Sequence, residues 1–421
     1  MRSEEHLASG NARAMPAAPM SRRKIAICGL PYSPNLGDGV ISECLAHLVA
    51  KLEPGATVVR IDLAGREDFI EREHGRQLFM SVAHRLPAFL RQNLVRAILT
   101  IKVKRKLAQR WAEELRGVDA ALIGGGQLLD DVDLNFPIKV ETMASCLDKL
   151  AIPYTIVCVG ASRNWSRVGS ELFKRALTSP FLRKVTVRDA TSMDSLTAQI
   201  SPDKLPAYGV IPDPAIVANE VYGHRAPGTT STTIGINVAD PINLGYSGSV
   251  SEGLTPEAWL SVYEDLVQAS SECGLEPVLF TNGAFEDDAY CAKVAAHLKR
   301  IGHDVPSTAR PTTPAEMAAL IAPHRLVISP RLHACIVAEA FGIPSIALGP
   351  VRKLEAFYRA LEMPLRQLKP DTFKTSGTGE IVAIIKGALA ANNDAAMQSG
   401  RARVERGITE LLDLTRATTK N

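Results

Sequence analysis

The sequence predicts an α/β protein built from two doubly wound, Rossmann-like domains that face each other across a cleft. Three observations carry that reading. Short β-branched apolar runs alternate with helical patterns, which implies a parallel sheet covered on both faces. The alternation occurs twice, separated by an irregular stretch between Pro212 and Thr233. The chain is also 421 residues long, more than one ordinary core supports.

The first series begins with KIAICGL (Lys24 to Leu30), a strand that ends in the turn-forming cluster PYSPNLGDG. VISECLAHLVAKL then has helical spacing, with Val40, Ile41, Leu45, Leu48 and Val49 on one face. TVVRIDL (Thr57 to Leu63), VDAALIGGG (Val118 to Gly126), YTIVCVG (Tyr154 to Gly160) and KVTVRD (Lys184 to Asp189) are the next strands. The helix TSMDSLTAQI follows, with Thr191 or Ser192 as its expected cap. After the irregular stretch, TIGINVA, PVLFTNG, LVISP and PSIALG are strands, separated by helical patterns. The expected divisions are a disordered tail at 1–22, an N-terminal domain at 23–220 and a C-terminal domain at 232–353. Helices in 354–421 are expected to pack across both domains.

Composition excludes several classes. The counts of 48 Lys+Arg and 45 Asp+Glu are nearly even, so nothing points to nucleic acid. The seven cysteines are odd in number, scattered and mostly in apolar patterns, which suits free thiols in a cytoplasm better than disulfides or a CxxC metal site. The first residues contain no apolar run of signal-peptide length, and no window has the length and apolarity of a membrane span.

Every polar or glycine-rich departure from these patterns falls just after a strand, where ligands of open α/β sheets sit. In PNLGDG, Gly37 and Gly39 relax the backbone ahead of a helix N-terminus that favours an anion, and Asp38 either caps that helix or takes part in chemistry. Gly124, Gly125 and Gly126 form a tight turn or allow close approach of a ligand; neither GxGxxG nor a P-loop is present. Arg188 with Asp189 is a structural ion pair or a grip on phosphate or carboxylate. In VISPRLHACIVAEAFG, Arg331 and His333 are expected on one side, able to bind an anion and move a proton, with a helix starting from Ala334. Lys353 adds a cation to the same rim.

Taken in order, NLGD (Asn35 to Asp38), IGGG (Ile123 to Gly126), VRDATS (Val187 to Ser192), PDPAI (Pro212 to Ile216) and SPRLHACIVAEAFGIPSIAL (Ser329 to Leu348) resemble the polysaccharide pyruvyl transferase family. The likeness runs from about Lys24 to Phe357. It departs at Gly39, where such proteins often carry an acidic or other polar residue. The resemblance implies a GT-B-like fold and transfer of a pyruvyl group from phosphoenolpyruvate onto two hydroxyls of a saccharide, giving a ketal and phosphate, in cell-surface polysaccharide biosynthesis. On that reading phosphoenolpyruvate lies on the C-terminal-domain side of the cleft, held by Arg331 and Lys353 together with Arg188 of the N-terminal domain, and His333 is the acid. Asp38 is the base, and Asn35, Gly37 and Gly124 to Gly126 belong to the acceptor side or its loops. Phosphoenolpyruvate is a co-substrate, and neither a cofactor nor a metal is expected.

Two other readings stand beside this one: a GT-B glycosyltransferase using a nucleotide sugar, and an inactive homologue that binds saccharide precursors or scaffolds their assembly. The segment 85–110 carries eight basic residues and no acidic ones among many Leu, Ile and Val. It is a helix with a solvated charged face or a surface that lies on anionic lipid. The second option suits a lipid-linked acceptor and a location at the inner face of the cytoplasmic membrane.

Overall fold

The computed structural model describes residues 22–69, 96–242, 256–349, 352–369, 373 and 377–416. The expected tail, through residue 21, and the 85–95 part of the basic segment lie outside these residues. The first sheet has six parallel strands in the order β2-β1-β3-β4-β5-β6. They are β1 (Lys24–Gly29), β2 (Thr57–Asp62), β3 (Ala120–Gly124), β4 (Tyr154–Val159), β5 (Leu182–Val187) and β6 (Ala207–Val210). The central β3 and β4 are buried at every residue, which is why AALIG and YTIVCV read as unbroken apolar runs. β6 was not expected. It is an edge strand whose AYGV includes a glycine and leaves Tyr208 and Val210 exposed, so its composition lacks the buried-strand signal.

The second sheet has five parallel strands in the order β11-β10-β9-β7-β8. They are β7 (Thr233–Asn237), β8 (Glu276–Phe280), β9 (Leu326–Ser329), β10 (Ser345–Leu348) and the short β11 (Gln367–Leu368). β11 carries this sheet past the expected boundary at 353. The irregular stretch is also more structured than expected: it contains a 3₁₀ turn (Pro214–Val217) and a short helix (Ala218–Tyr222) that ends on Gly223 in the left-handed region.

Helix α1 (Leu36–Leu52) joins β1 to β2 and buries Val40, Ile41, Leu45, Leu48 and Val49, each worth about 2 kcal/mol relative to exposure. It ends where the Glu53 N–H returns to the Val49 carbonyl and Gly55 turns the chain at φ +91°. Opposite it stands α2 (Leu332–Ala340), the helix after β9, with every residue buried. Leu36 and Val40 of the first unit share one apolar core with Met317, Ile321 and Ile336 of the second. The space between the two sheets is therefore filled with side chains at α1 and α2 rather than open. The last helix, α3 (Asp394–Arg416), returns to the first sheet through Val404, Ile408 and Leu411. Its Arg401 donates to the Ile216 and Ala340 carbonyls, one on each side of the junction.

All seven cysteines are free thiols, six of them buried. Burial pushes the Cys335 thiol up to about 12. No helix among the described residues is long and apolar enough to cross a membrane.

Candidate active site

Parallel register brings the C-terminal ends of β1, β3, β4, β5 and β6 to one rim, with Gly124 paired to Val157 and Val187 to Val210. The loops leaving that rim meet the N-terminus of α2. Arg331 is the cap residue of α2 in extended conformation, and the helix starts at Leu332, not Ala334. His333 therefore lies in the first helical turn, and the two side chains diverge instead of sharing one side. The physical reason is the change from extended to helical backbone between them.

His333 turns toward the first sheet. Its Nε2 lies 3.6 Å from Oδ2 of Asp213, which follows β6. That separation is longer than a formed hydrogen bond, and neither buried atom has a hydrogen-bond partner among the described residues. Asp213 also caps the 3₁₀ turn through the Ala215 N–H at 3.0 Å. Burial pushes its carboxyl up, but the imidazole of His333 and the guanidinium of Arg188 outweigh that and hold it below the usual carboxylate range. Asp213, within PDPAI, is a site residue that sequence reasoning missed. No sequence signal marked it, because the strand it follows, β6 (Ala207–Val210), was itself not legible.

Arg188 is buried at the end of β5, with its Nε 3.4 Å from Asp189 and its Nη1 3.9 Å from Asp213. Asp189, rather than Thr191 or Ser192, caps the helix Ala190–Thr197 by accepting the Ser192 N–H at 2.7 Å. Arg331 turns toward the second sheet and forms a two-point pair with buried Asp287, Nε to Oδ2 at 3.0 Å and Nη2 to Oδ1 at 2.6 Å. This leaves its Nη1 outside the pair. Neither arginine is a bare cation, because a guanidinium taken out of water brings a carboxylate with it; for Arg188 this is the ion pair with Asp189 that the sequence offered as one alternative. Lys353 differs. It is the second residue of the helix Arg352–Ala360 and has no hydrogen bond or ion pair to any described residue. Burial and then the nearby Arg188 push its ammonium down to about 8, with Arg331 adding to the effect and Asp130 and Asp38 opposing it.

The NLGDG loop closes the other side. Gly37 is in contact with the His333 ring, so that a side chain there would overlap the imidazole. Asp38 is not the cap of α1. It sits in the first turn, where its Oδ1 would be 3.0 Å from a Cβ at Gly126. Burial raises its carboxyl above the ordinary value, against the pull of His333, Ser33, Arg66 and Lys353. The α1 N-terminus is not open to an anion as expected. The Leu36 N–H donates to the Asn282 carbonyl from the loop after β8, and the Asp38 N–H to Asn35. Asn35 is the cap residue but makes no side-chain cap, and its Oδ1 is buried without a partner among the described residues. Nδ2 of Asn282 is likewise buried without a partner among the described residues, while its Oδ1 accepts from Asn237.

Of the three glycines, Gly124 abuts Val157 and Gly125, at φ +79°, abuts Ile41, so both serve packing. Only Gly126, at φ +67°, meets a candidate residue. Gly39, the departure from the family pattern, has no room for a larger residue: a Cβ would lie 2.7 Å from Pro314 of the second unit. Between Arg188, Asp213 and Lys353, together with Leu332 and Ile336, the enclosed space is about 10 Å³, enough for a single water.

Two parallel sheets with alternating helices, meeting at the His333–Asp213 contact, form a two-domain GT-B-like scaffold. UDP-GlcNAc 2-epimerases are similar in fold. That of Methanocaldococcus jannaschii, in complex with UDP-GlcNAc and UDP, has a TM-score of 0.53 at 12% identity, covering 93% of this chain and 99% of its own. That of Neisseria meningitidis bound to UDP-GlcNAc has 0.53 at 14%, covering 93% and 99%. A UDP-forming trehalose-phosphate synthase of Burkholderia vietnamiensis has 0.51 at 13%, covering 95% and 99%. At these identities the likeness concerns the fold alone. No curated protein matches the sequence significantly. The family model for polysaccharide pyruvyl transferase matches residues 35–350, and the chain belongs to that family.

Proposed function

We propose that the protein transfers the pyruvyl group of phosphoenolpyruvate to two hydroxyls of a saccharide, forming a cyclic ketal and releasing phosphate. Family membership supports the reaction class, and one structural observation supports the site: His333, Asp213, Arg188 and Lys353 converge where the two sheets meet. Lys353 is the principal anchor for the phosphate or carboxylate, because it forms no ion pair with any described residue, Asp130 and Asp38 acting on it only from a distance. Arg188 and the free Nη1 of Arg331 add directed N–H donors.

His333 delivers a proton to the methylene carbon, which becomes a methyl group as C2 turns electrophilic. The first sugar hydroxyl attacks C2, the C2–O bond to phosphate breaks, and the second hydroxyl closes the ketal. Of the two hydroxyl protons, one replaces that lost by His333 and the other leaves with phosphate. Asp38, whose raised carboxyl is closer to neutrality than an ordinary aspartate, accepts a hydroxyl proton. Asp213 faces the imidazole and orients His333. Asn35, Gly37 and Gly126 shape the acceptor side. Neither a cofactor nor a metal enters this scheme.

The test is phosphate release from phosphoenolpyruvate with a panel of free and lipid-linked oligosaccharides, using wild type and His333→Ala. Acceptor-dependent release that falls about 100-fold or more in the variant is expected. Turnover of a nucleotide sugar in place of phosphoenolpyruvate would overturn the reaction, and full activity of the variant would overturn the role of His333.

A further inference from the structure

The described part of the basic segment is a helix at 96–114 laid against the first sheet. Its inward side is apolar: Val103, Leu107 and Trp111 are buried, and the Trp111 indole N–H donates to the Asp62 carbonyl at 3.2 Å. In the middle it widens to a π-helix (Lys102–Leu107), with the Ala108 N–H returning to Val103. The outward side has a different character. Lys102, Lys104, Arg105 and Lys106 are all exposed. Ile98 and Ile101, about one turn earlier, are 44% and 56% exposed. No acidic residue occurs between 96 and 112. Among these four cations the structure records one ion pair, Lys104 with Glu141 at 3.5 Å.

An ordinary solvated helix face mixes charge signs and keeps large aliphatic side chains inside. This face has one sign of charge and two uncovered isoleucines. A flat anionic lipid surface answers both features, since phosphate headgroups pair with the cations and the headgroup–acyl boundary accepts the isoleucines. A nucleic acid would answer only the charge, and the described outer face offers no aromatic ring for base stacking. We propose that the 96–107 face is a peripheral membrane-contact surface for anionic phospholipid, with Ile98 and Ile101 seated in the interface. The surface belongs to the N-terminal unit and stands apart from the His333 site, so it does not depend on the reaction proposed above.

The experiment is flotation of the full chain with phosphatidylcholine vesicles, with and without phosphatidylglycerol. Each basic residue near such a surface is worth about fivefold in partition, so Lys102→Gln/Lys104→Gln/Arg105→Gln/Lys106→Gln is expected to lose binding by well over tenfold. Binding should also weaken with added salt. Ile98→Ser/Ile101→Ser keeps every charge and is expected to lose binding severalfold, with the same circular dichroism melt as wild type. Failure of the wild type to float with phosphatidylglycerol overturns the proposal, as does equal recovery of the four-site variant. Undiminished flotation of the two-isoleucine variant, with heparin competing as well as lipid, would make this a general polyanion surface and overturn it too.

Discussion

Replacing Lys353 by Met should make the ligand-free protein more stable while removing its hold on phosphoenolpyruvate. The fall of the Lys353 ammonium from 10.5 to about 8 corresponds to about 3 kcal/mol at about 1.4 kcal/mol per pH unit. Part of the side chain still meets solvent, so the realised figure is discounted to about 2 kcal/mol. Met has nearly the same length and carries no charge, so at pH 7 the variant should gain up to about that amount. The sign of the pH dependence follows. Between about 8 and 10.5 the unfolded lysine holds its proton and the folded one does not, so wild-type stability rises with pH there. The advantage of the variant should therefore shrink across that window. Urea unfolding of both proteins at pH 7 and near pH 10 measures this, and calorimetry with phosphoenolpyruvate measures affinity, expected to fall at least about tenfold. A variant that is less stable at pH 7, or as tight a binder as wild type, would refute the picture of a half-buried cation, unpaired among the described residues and held for the substrate.

Asp213→Asn should keep the shape of the site but lower turnover about tenfold or more, with a displaced pH–rate profile, because the imidazole loses its carboxylate partner. The depressed Asp213 carboxyl contributes stability above the ordinary aspartate range that is lost as pH falls through its folded value; urea titrations should show the wild-type advantage over Asp213→Asn vanishing on acidification. Gly37→Ala should cost about 1–3 kcal/mol of stability in urea unfolding and lower turnover, since its methyl group overlaps the His333 ring. Asp287→Ala should cost about 3–5 kcal/mol in urea unfolding by stranding the Arg331 guanidinium without its two-point partner.

The two sheets were legible in the sequence because their central strands are buried on both faces, and AALIG, YTIVCV and LVIS could only be apolar runs. The edge strand β6 was not legible, since half-exposed AYGV looks like a loop. Position after a strand was enough to single out Asp38, Arg188, Arg331 and His333. It could not say where each side chain would turn. Arg331 and His333 diverge because the helix begins between them, and the partners they find, Asp287 and Asp213, are 44 and 120 positions away in the chain. Long-range carboxylates of that kind leave no local pattern. The glycines show the same limit: Gly37 is needed for contact with His333, whereas Gly124 and Gly125 serve packing against Val157 and Ile41, and all read alike in sequence.

Pyruvyl transfer with proton delivery to the methylene carbon is tested most directly by running the reaction in deuterium oxide and examining the acceptor by NMR. The account predicts a new ketal methyl group carrying one deuterium, formed in step with phosphate and nearly absent with His333→Ala. Phosphate released without a methyl signal on the saccharide, or a glycosyl group transferred from a nucleotide sugar instead, would contradict it.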